Sequence, residues 1–172
     1  YLAISSQSPF RFSADIRRAS NLNALHQVEP AIALLNGMAV EFAATPQPLI
    51  TLGDLLRRHE RWDEAIVLYT QAIKRVGILT RRHWRMLYSR GIVLERAKRW
   101  PEAENDFLRA LEFEPDQPYV LNYLGYSWID QGVHLKRALD MIRNAVRRRP
   151  NDGYIIDSLG WVYYRLGNYK KA

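Results

Sequence analysis

Small and apolar side chains recur along this chain at a long, nearly fixed period, with polar and charged residues between them. Four glycines lie about 34 residues apart, and each is followed twelve or thirteen residues later by an alanine. The pairs are Gly53 and Ala65, Gly91 and Ala103, Gly125 and Ala138, and Gly160 and Ala172. Small residues at two fixed points indicate two helices that approach closely, so the pattern predicts a series of stacked helix hairpins.

Other positions of the repeat also keep their size class. With the glycine as position 8, repeats begin at Pro46, Trp84, Pro118 and Gly153. Positions 24, 27 and 32 then hold a large residue, an alanine and a proline: Tyr69 and Phe107; Ala72 and Ala110; and Pro115. In the repeat from Pro118, one extra residue moves these positions by one, to Ile142, Ala145 and Pro150. This set resembles the tetratricopeptide repeat (TPR). The resemblance implies an all-α fold, a right-handed superhelix of antiparallel helix hairpins known as a TPR solenoid.

We interpret residues 1–172 as a single TPR array. It comprises a degenerate repeat at 12–45, full repeats at 46–83, 84–117 and 118–152, and a truncated repeat at 153–172. In the degenerate repeat, Ala19 and Ala31 take the two small positions and Pro30 lies in the first turn of the second helix. The first eight residues show no clear period.

The last repeat stops about one turn into its second helix, which predicts that this chain is a piece of a longer protein. Ile156, Leu159 and Tyr163 would then lack their usual cover. We therefore expect a second copy of the chain to cover them by self-association. A membrane anchor would have to lie outside this segment.

Proline, glycine and acidic residues mark the predicted helix ends. Pro101 fits the first turn of a helix, and Asp116 and Asp152 are candidate N-caps for the helices that follow. Gly132 and Gly167 fall where a first helix ends, at a position that favours left-handed backbone geometry.

The net charge of +7 raises the question of a nucleic-acid partner. Many of the basic residues fall near predicted helix ends, where cations complement the helix dipole. A recognised nucleic-acid-binding module is not evident, so binding through the basic middle of the chain is the alternative and not the main reading. The chain has no cysteine, which leaves the compartment open.

Catalytic signatures are not evident in the sequence. The four histidines are scattered, without a pair at metal-ligand spacing, and we find no nucleophile elbow, phosphate-binding loop or dinucleotide-binding loop. We therefore expect no enzymatic activity, no cofactor, no metal and no small-molecule substrate. A regulatory role for an enzyme outside this segment remains a second alternative.

In TPR arrays the first helices of successive repeats line a concave groove that binds a partner segment. This rule, which comes from the resemblance, predicts a groove that is basic at one end and aromatic at the other. Aromatic and arginine side chains commonly anchor protein interfaces. The predicted groove residues are Arg57, Arg58, Arg85, Tyr88, Arg96, Tyr119, Asn122, Tyr123, Tyr126, Asp130, Tyr154, Asp157, Trp161, Tyr164 and Arg165. Some of these rings, above all Tyr123 and Trp161, could instead pack between adjacent first helices.

The TPR proteins that clamp a partner's C-terminal carboxylate need a basic residue at position 5 and an asparagine at position 9. Position 5 here is occupied by Ile50, Tyr88, Asn122 and Asp157, and position 9 by Asp54, Ile92, Tyr126 and Trp161. The clamp is therefore absent, and an extended peptide would need other contacts in the groove.

Segments 121–130 and 157–167 resemble consecutive repeats of long TPR proteins of the bacterial cell envelope. The resemblance implies a bacterial periplasmic or envelope location, with the cytoplasm as the alternative. It also implies a scaffold or adaptor that recruits protein partners. We therefore predict a non-enzymatic scaffold for protein–protein interaction, which binds a protein or peptide segment in the concave groove.

Overall fold

A computed structural model describes residues 8–172, so most of the period-free N-terminal stretch, residues 1–7, lies outside it. The described residues form nine α-helices and one short 3-10 turn, Arg81–His83, with no strand among them. The helices are α1 (Arg11–Ala24), α2 (Val28–Glu41), α3 (Gln47–Arg58), α4 (Trp62–Val76), α5 (Trp84–Arg96), α6 (Trp100–Phe113), α7 (Pro118–Gln131), α8 (Leu135–Arg148) and α9 (Gly153–Arg165). The predicted all-α class is confirmed.

The chain divides into two compact modules. The N-terminal module contains the described residues up to Thr80 together with Ser89–Ala103. The C-terminal module contains Arg81–Tyr88 together with Glu104–Ala172. These modules cut through α5 and α6, and they do not test the predicted repeat boundaries, which stay a prediction.

In the N-terminal module, α2 packs on α1 and on α3, and α3 packs on α4. Tyr69 of α4 is fully buried, and its hydroxyl donates a 2.7 Å hydrogen bond to Oδ1 of Asp54 on α3. A Cβ atom at Gly53 would lie only 3.0 Å from Cε1 of Tyr69. Gly53 therefore makes room for the tyrosine ring at position 24.

In the C-terminal module, α7 packs on α8, and both helices pack on α9. A Cβ atom at Gly125 would lie 2.8 Å from Cγ1 of Ile142 and 3.0 Å from the carbonyl oxygen of Ala138. Here the small residues do permit the close helix approach that the sequence predicted. Trp128 lies near the C-terminal end of α7, and its Nε1 donates a 2.5 Å hydrogen bond to Oε1 of Glu104.

Most helix ends follow the sequence signals. Asp152 stands at the N-cap position of α9, but its side chain makes no capping hydrogen bond there. Gly132 and Gly167 have φ angles of 73° and 74°, the left-handed geometry predicted for them. Asp116, however, is not the N-cap of α7. That position belongs to Gln117, whose side-chain oxygen accepts from the backbone N–H of Tyr119 at 3.0 Å. Asp116 instead forms an ion pair with Arg148.

Candidate partner-binding site

An open recess of about 690 Å³ lies on the C-terminal module, between residues of α7, α9 and the segment that follows α9. Its size is that of a typical ligand pocket, although it is open to solvent. The residues lining it are Tyr126, Ile156, Asp157, Gly160, Trp161, Tyr164 and Ala172. Four of them, Tyr126, Asp157, Trp161 and Tyr164, are predicted groove residues that the fold brings together here.

Helical periodicity gives α9 two different faces. Ile155, Ser158 and Val162 are buried, and they anchor the helix in the module. Asp157, Trp161 and Tyr164 follow one another by four and three residues, so they share a second face that lines the recess. The sequence spacing alone therefore puts the acidic and aromatic side chains side by side.

Three aromatic rings form the walls. Trp161 and Tyr164 are stacked, with ring centroids 5.5 Å apart and planes inclined by 21°. Tyr164 is 53% exposed, and Tyr126 of α7 is 38% exposed. Large rings that remain accessible to solvent offer much area to desolvate on binding, which is how aromatic residues anchor interfaces.

The polar groups of the recess are unevenly satisfied. The carboxylate of Asp157 has neither an ion-pair nor a hydrogen-bond partner within residues 8–172. The indole Nε1 of Trp161 is buried and likewise has no acceptor in the described part of the chain. Because this N–H points away from solvent, Trp161 presents its ring and not its N–H to an incoming group.

A salt bridge borders the recess on the side of Arg165. Arg165 Nη1 lies 3.2 Å from Oδ1 of Asp130, and Arg165 Cζ lies 5.7 Å from the ring centroid of Trp161. These two predicted groove residues therefore neutralise each other, and Arg165 also covers part of the tryptophan ring.

Other predicted groove residues pack inside the C-terminal module. Tyr123 lies 6.1 Å from Tyr88 and 5.2 Å from Phe107, measured between ring centroids, and Tyr88 lies 6.1 Å from Phe107. Asn122 is fully buried, and both polar atoms of its side chain lack a partner within residues 8–172. The expectation that Asn122 is exposed in a groove is therefore wrong. Tyr123 follows the alternative reading, in which the ring packs between helices.

The remaining predicted residues of this module lie outside the recess. The hydroxyl of Tyr119 accepts a 2.7 Å hydrogen bond from Arg149, whose guanidinium also covers the ring. Arg85 is exposed, with its Cζ 5.5 Å from the ring centroid of Trp84. Tyr154, at the start of α9, is an exposed ring that does not line the recess.

Three predicted residues belong to the N-terminal module. Arg57 is half-buried with Nη2 3.8 Å from Asp54, Arg58 is exposed, and Arg96 lies 3.7 Å from Glu95. None of these three arginines lines the recess on the C-terminal module.

One aromatic residue beside the recess escaped the sequence analysis. The ring centroid of Tyr169 lies 5.6 Å from that of Tyr164. The left-handed turn at Gly167, closed by the hydrogen bond from Asn168 N to Tyr163 O at 2.8 Å, bends the chain back toward α9. The glycine signalled this turn, but the ring contact depends on the path of the chain after it.

Within residues 8–172, no group of three or more His, Cys, Asp or Glu side chains is arranged to hold a metal ion. None of the helices in this part of the chain is both long enough and apolar enough to cross a membrane.

Comparison with known proteins agrees with the repeat pattern. The family model described as tetratricopeptide repeat matches residues 50–132. A TPR repeat-containing protein of Pseudomonas aeruginosa is 33% identical over 87 residues, which is 51% of this chain and 15% of that relative. The match thus spans a small part of the relative's length.

Solved structures share the fold. MamA from Desulfovibrio magneticus aligns with 91% of this chain and 88% of its own, with a TM-score of 0.73 and 20% identity. YrrB, described as a TPR protein with an unusual peptide-binding site, aligns with 91% of this chain and 78% of its own, with a TM-score of 0.69 and 19% identity. The repeat pattern and the match of the tetratricopeptide-repeat model to residues 50–132 support a TPR protein, and the solved structures share its fold.

Proposed function

We propose that the protein is a non-enzymatic scaffold or adaptor that binds a segment of a partner protein in the recess on α7 and α9. The TPR fold is generally a module for protein–protein interaction, and the finer proposal concerns the surface that is used. The observation that carries it is the gathering of Tyr126, Trp161 and Tyr164 around one open recess. The peptide-binding site for which the similar protein YrrB is described supports a peptide as the ligand.

Energetics favour an interface over a purely structural role for these rings. Buried aromatic rings normally pack against other core residues, as Tyr88 and Tyr123 do around Phe107. Tyr164 and Tyr126 instead keep a third or more of their surface in water. A partner that covers them gains roughly 25 cal/mol per Å² of apolar surface removed from water.

The test uses the chain as bait against a lysate of the source organism, followed by calorimetry with the strongest partner. We expect the triple variant Tyr126→Ala, Trp161→Ala, Tyr164→Ala to lose the partner, because removing a single anchor ring costs about 2 kcal/mol or more of binding free energy. Tyr154→Ala is the matched control, since it removes an exposed ring from α9 outside the recess. A folded triple variant that binds as tightly as the parent would exclude the recess as the functional surface.

Two arginines outside the recess are proposed to select acidic or carboxylate-bearing parts of the partner. Arg85 and Arg96 are both exposed, and they belong to different modules, so each is tested alone. Loss of either side chain should mainly slow association and weaken its dependence on salt, because exposed charges steer encounters more than they hold complexes.

The basic middle of the chain gives less support to a nucleic-acid-binding role. Arg61 forms ion pairs with Glu29 and Glu64, and Arg99 forms one with Glu102. Arg75 donates hydrogen bonds to two backbone carbonyl oxygens of the N-terminal module. Guanidinium groups engaged in this way are less available to phosphates. Selective binding of a particular DNA or RNA that persists at physiological salt would favour this alternative.

Self-association through residues 156–163 is another proposal. Of the three residues expected to need cover, Ile156 is 45% exposed, whereas Leu159 and Tyr163 are partly buried. The hydroxyl of Tyr163 accepts from Arg143 at 3.2 Å. A second copy would have to use Ile156, which lines the recess, and would therefore compete with a partner segment for it.

We also propose a bacterial envelope or periplasmic location, on the resemblance of segments 121–130 and 157–167 to envelope TPR proteins. An enzyme regulated by this array would lie in another part of a longer protein. Sequencing the full reading frame and fractionating cells that carry the tagged full-length protein would test both points.

A further inference from the structure

We propose that the recess selects a partner segment by a lysine or arginine side chain, which enters between the rings of Tyr126 and Tyr164 and pairs with the carboxylate of Asp157. This inference rests on the proposed function, because it names the chemistry of the group that the same recess takes. The recess contributes the rings of Tyr126, Trp161 and Tyr164 and the carboxylate of Asp157.

The charge of the recess is opposite to that of the whole chain. The chain carries a net charge of +7, yet Asp157 is the only one of the seven lining residues whose side chain is charged at neutral pH. Its carboxylate has no ion-pair partner within the described residues. The nearby Arg165 does not neutralise it, because Arg165 is paired with Asp130. The recess therefore attracts a cation.

Arginine side chains lie over several aromatic rings of the C-terminal module. Arginine Cζ atoms lie 5.0 to 5.7 Å from the ring centroids of five residues: Trp84, Tyr119, Trp128, Trp161 and Tyr163. The distance is that of a cation–π interaction. Tyr126 and Tyr164 have no such partner among the described residues, and both line the recess. A cation supplied by another molecule would complete the same arrangement there.

Other occupants fit less well. An acidic side chain would meet the negative charge of Asp157 at short range. A purely apolar side chain would cover the rings but strip water from an unpaired carboxylate, which costs free energy without compensation. A lysine or arginine side chain avoids both costs, because its methylene stem packs on the rings while its charged end reaches the carboxylate.

The test starts from random 12-residue peptides displayed on phage, selected on the parent chain and counter-selected on the triple variant Tyr126→Ala, Trp161→Ala, Tyr164→Ala. We expect the peptides that distinguish the two proteins to share a lysine or an arginine. The best peptide is then synthesised with that residue and, as a matched control, with the uncharged isostere norleucine or citrulline. Calorimetry with the parent should show binding about tenfold weaker for the control peptide.

Asp157→Asn is the second variant, and it keeps the size of the exposed side chain, so folding should be retained. We expect it to weaken the cationic peptide by up to about fivefold and to leave the control peptide nearly unchanged. Circular dichroism melting curves of the parent and of both variants show whether each is folded.

The outcomes separate the inference from the proposed function. Peptides that need the three rings but carry no lysine or arginine, or that bind Asp157→Asn as well as the parent, would overturn the inference and leave the proposed function standing. Failure to find any peptide that distinguishes the parent from the folded triple variant would overturn the proposed function itself. A dimer in sedimentation that becomes monomeric in the triple variant would make a second copy the occupant, and would overturn the inference.

Discussion

The hairpin of α3 and α4 and the recess on α7 and α9 both place aromatic rings beside an aspartate, with opposite results. Tyr69 is fully buried, and its hydroxyl donates to Asp54 at 2.7 Å. Tyr164 is 53% exposed, and the carboxylate of Asp157 has no partner in the described part of the chain. In the first region the polar groups satisfy each other, so the pair serves folding. In the second region the carboxylate has no partner among the described residues, and the ring stays accessible to water.

The difference separates aromatic residues that are packed inside the array from those that remain accessible to solvent. Residue type does not separate the two classes, since both contain tyrosines at repeat positions. The distinguishing features are exposure and the presence of an internal partner. Mutations that affect one property and leave the other unchanged can therefore test the comparison.

Truncation of the two tyrosines should give the largest contrast. We expect Tyr69→Ala to lower the free energy of unfolding by about 3 to 5 kcal/mol, because it leaves a cavity between α3 and α4. Tyr164→Ala should cost about 1 kcal/mol or less, because water already reaches much of the ring. Urea unfolding followed by circular dichroism measures both. Equal losses of stability would contradict the assignment of Tyr164 to a binding surface.

A buried glycine of α7 and an exposed lysine of α8 offer the next contrast. Gly125→Leu should destabilise the protein by about 1 to 3 kcal/mol or more, because even a Cβ atom there would collide with Ile142. The exposed Lys136→Ala on α8 should stay within about 0.5 kcal/mol. Differential scanning calorimetry checks the pair. Similar shifts in melting temperature for both variants would refute the predicted packing register.

Removing only the hydroxyl groups tests the internal partner. Tyr69→Phe should cost about 1 kcal/mol, since it removes one hydrogen bond whose acceptor, Asp54, remains partly accessible to water. Tyr164→Phe should leave stability unchanged, because that hydroxyl has no internal partner among the described residues. Urea titrations measure both variants. A measurable loss of stability in Tyr164→Phe would show that the hydroxyl of Tyr164 does stabilise the fold.

The pH dependence of stability tests whether the ring of Tyr69 is desolvated. Burial, and then the negative charge of Asp54, raise the pKa of Tyr69 above the value of about 10 for an unfolded chain. The folded state thus favours the neutral phenol, and this contribution is fully present below about pH 10 and declines as the pH rises further. The unfolding free energy of the parent should therefore fall more steeply above about pH 10 than that of Tyr69→Phe. If the unfolding free energies of the two proteins changed with pH in the same way, the phenol of Tyr69 would not be desolvated in the folded state.

Particular residues show how far the sequence could be read. Gly132 and Gly167 were predicted to adopt left-handed geometry and do so, because a helix end imposes a local requirement that glycine meets. Asp116 was predicted as an N-cap, but the long-range pairing with Arg148 competes for its carboxylate and Gln117 caps the helix. Local signals were reliable where no distant partner intervened.

The candidate site shows the same limit. The helical spacing of Asp157, Trp161 and Tyr164 was sufficient to place them on one face of α9. Nothing in that spacing distinguished them from Asn122 and Tyr123, which were given the same role and are packed inside the module. Exposure depends on which neighbouring helix covers a face, and the repeat register does not contain that information.

The sequence by itself determined the all-α class, the TPR hairpins and several helix ends, because spacing, proline and glycine act through local backbone geometry. Tertiary structure alone decided that Gly53 accommodates the ring of Tyr69 while Gly125 lets the backbone of α8 approach. It also decided which tyrosines find internal partners and which line the open recess. These outcomes depend on side chains that are distant in sequence competing for the same space and the same polar groups, and that competition is settled only when the helices pack.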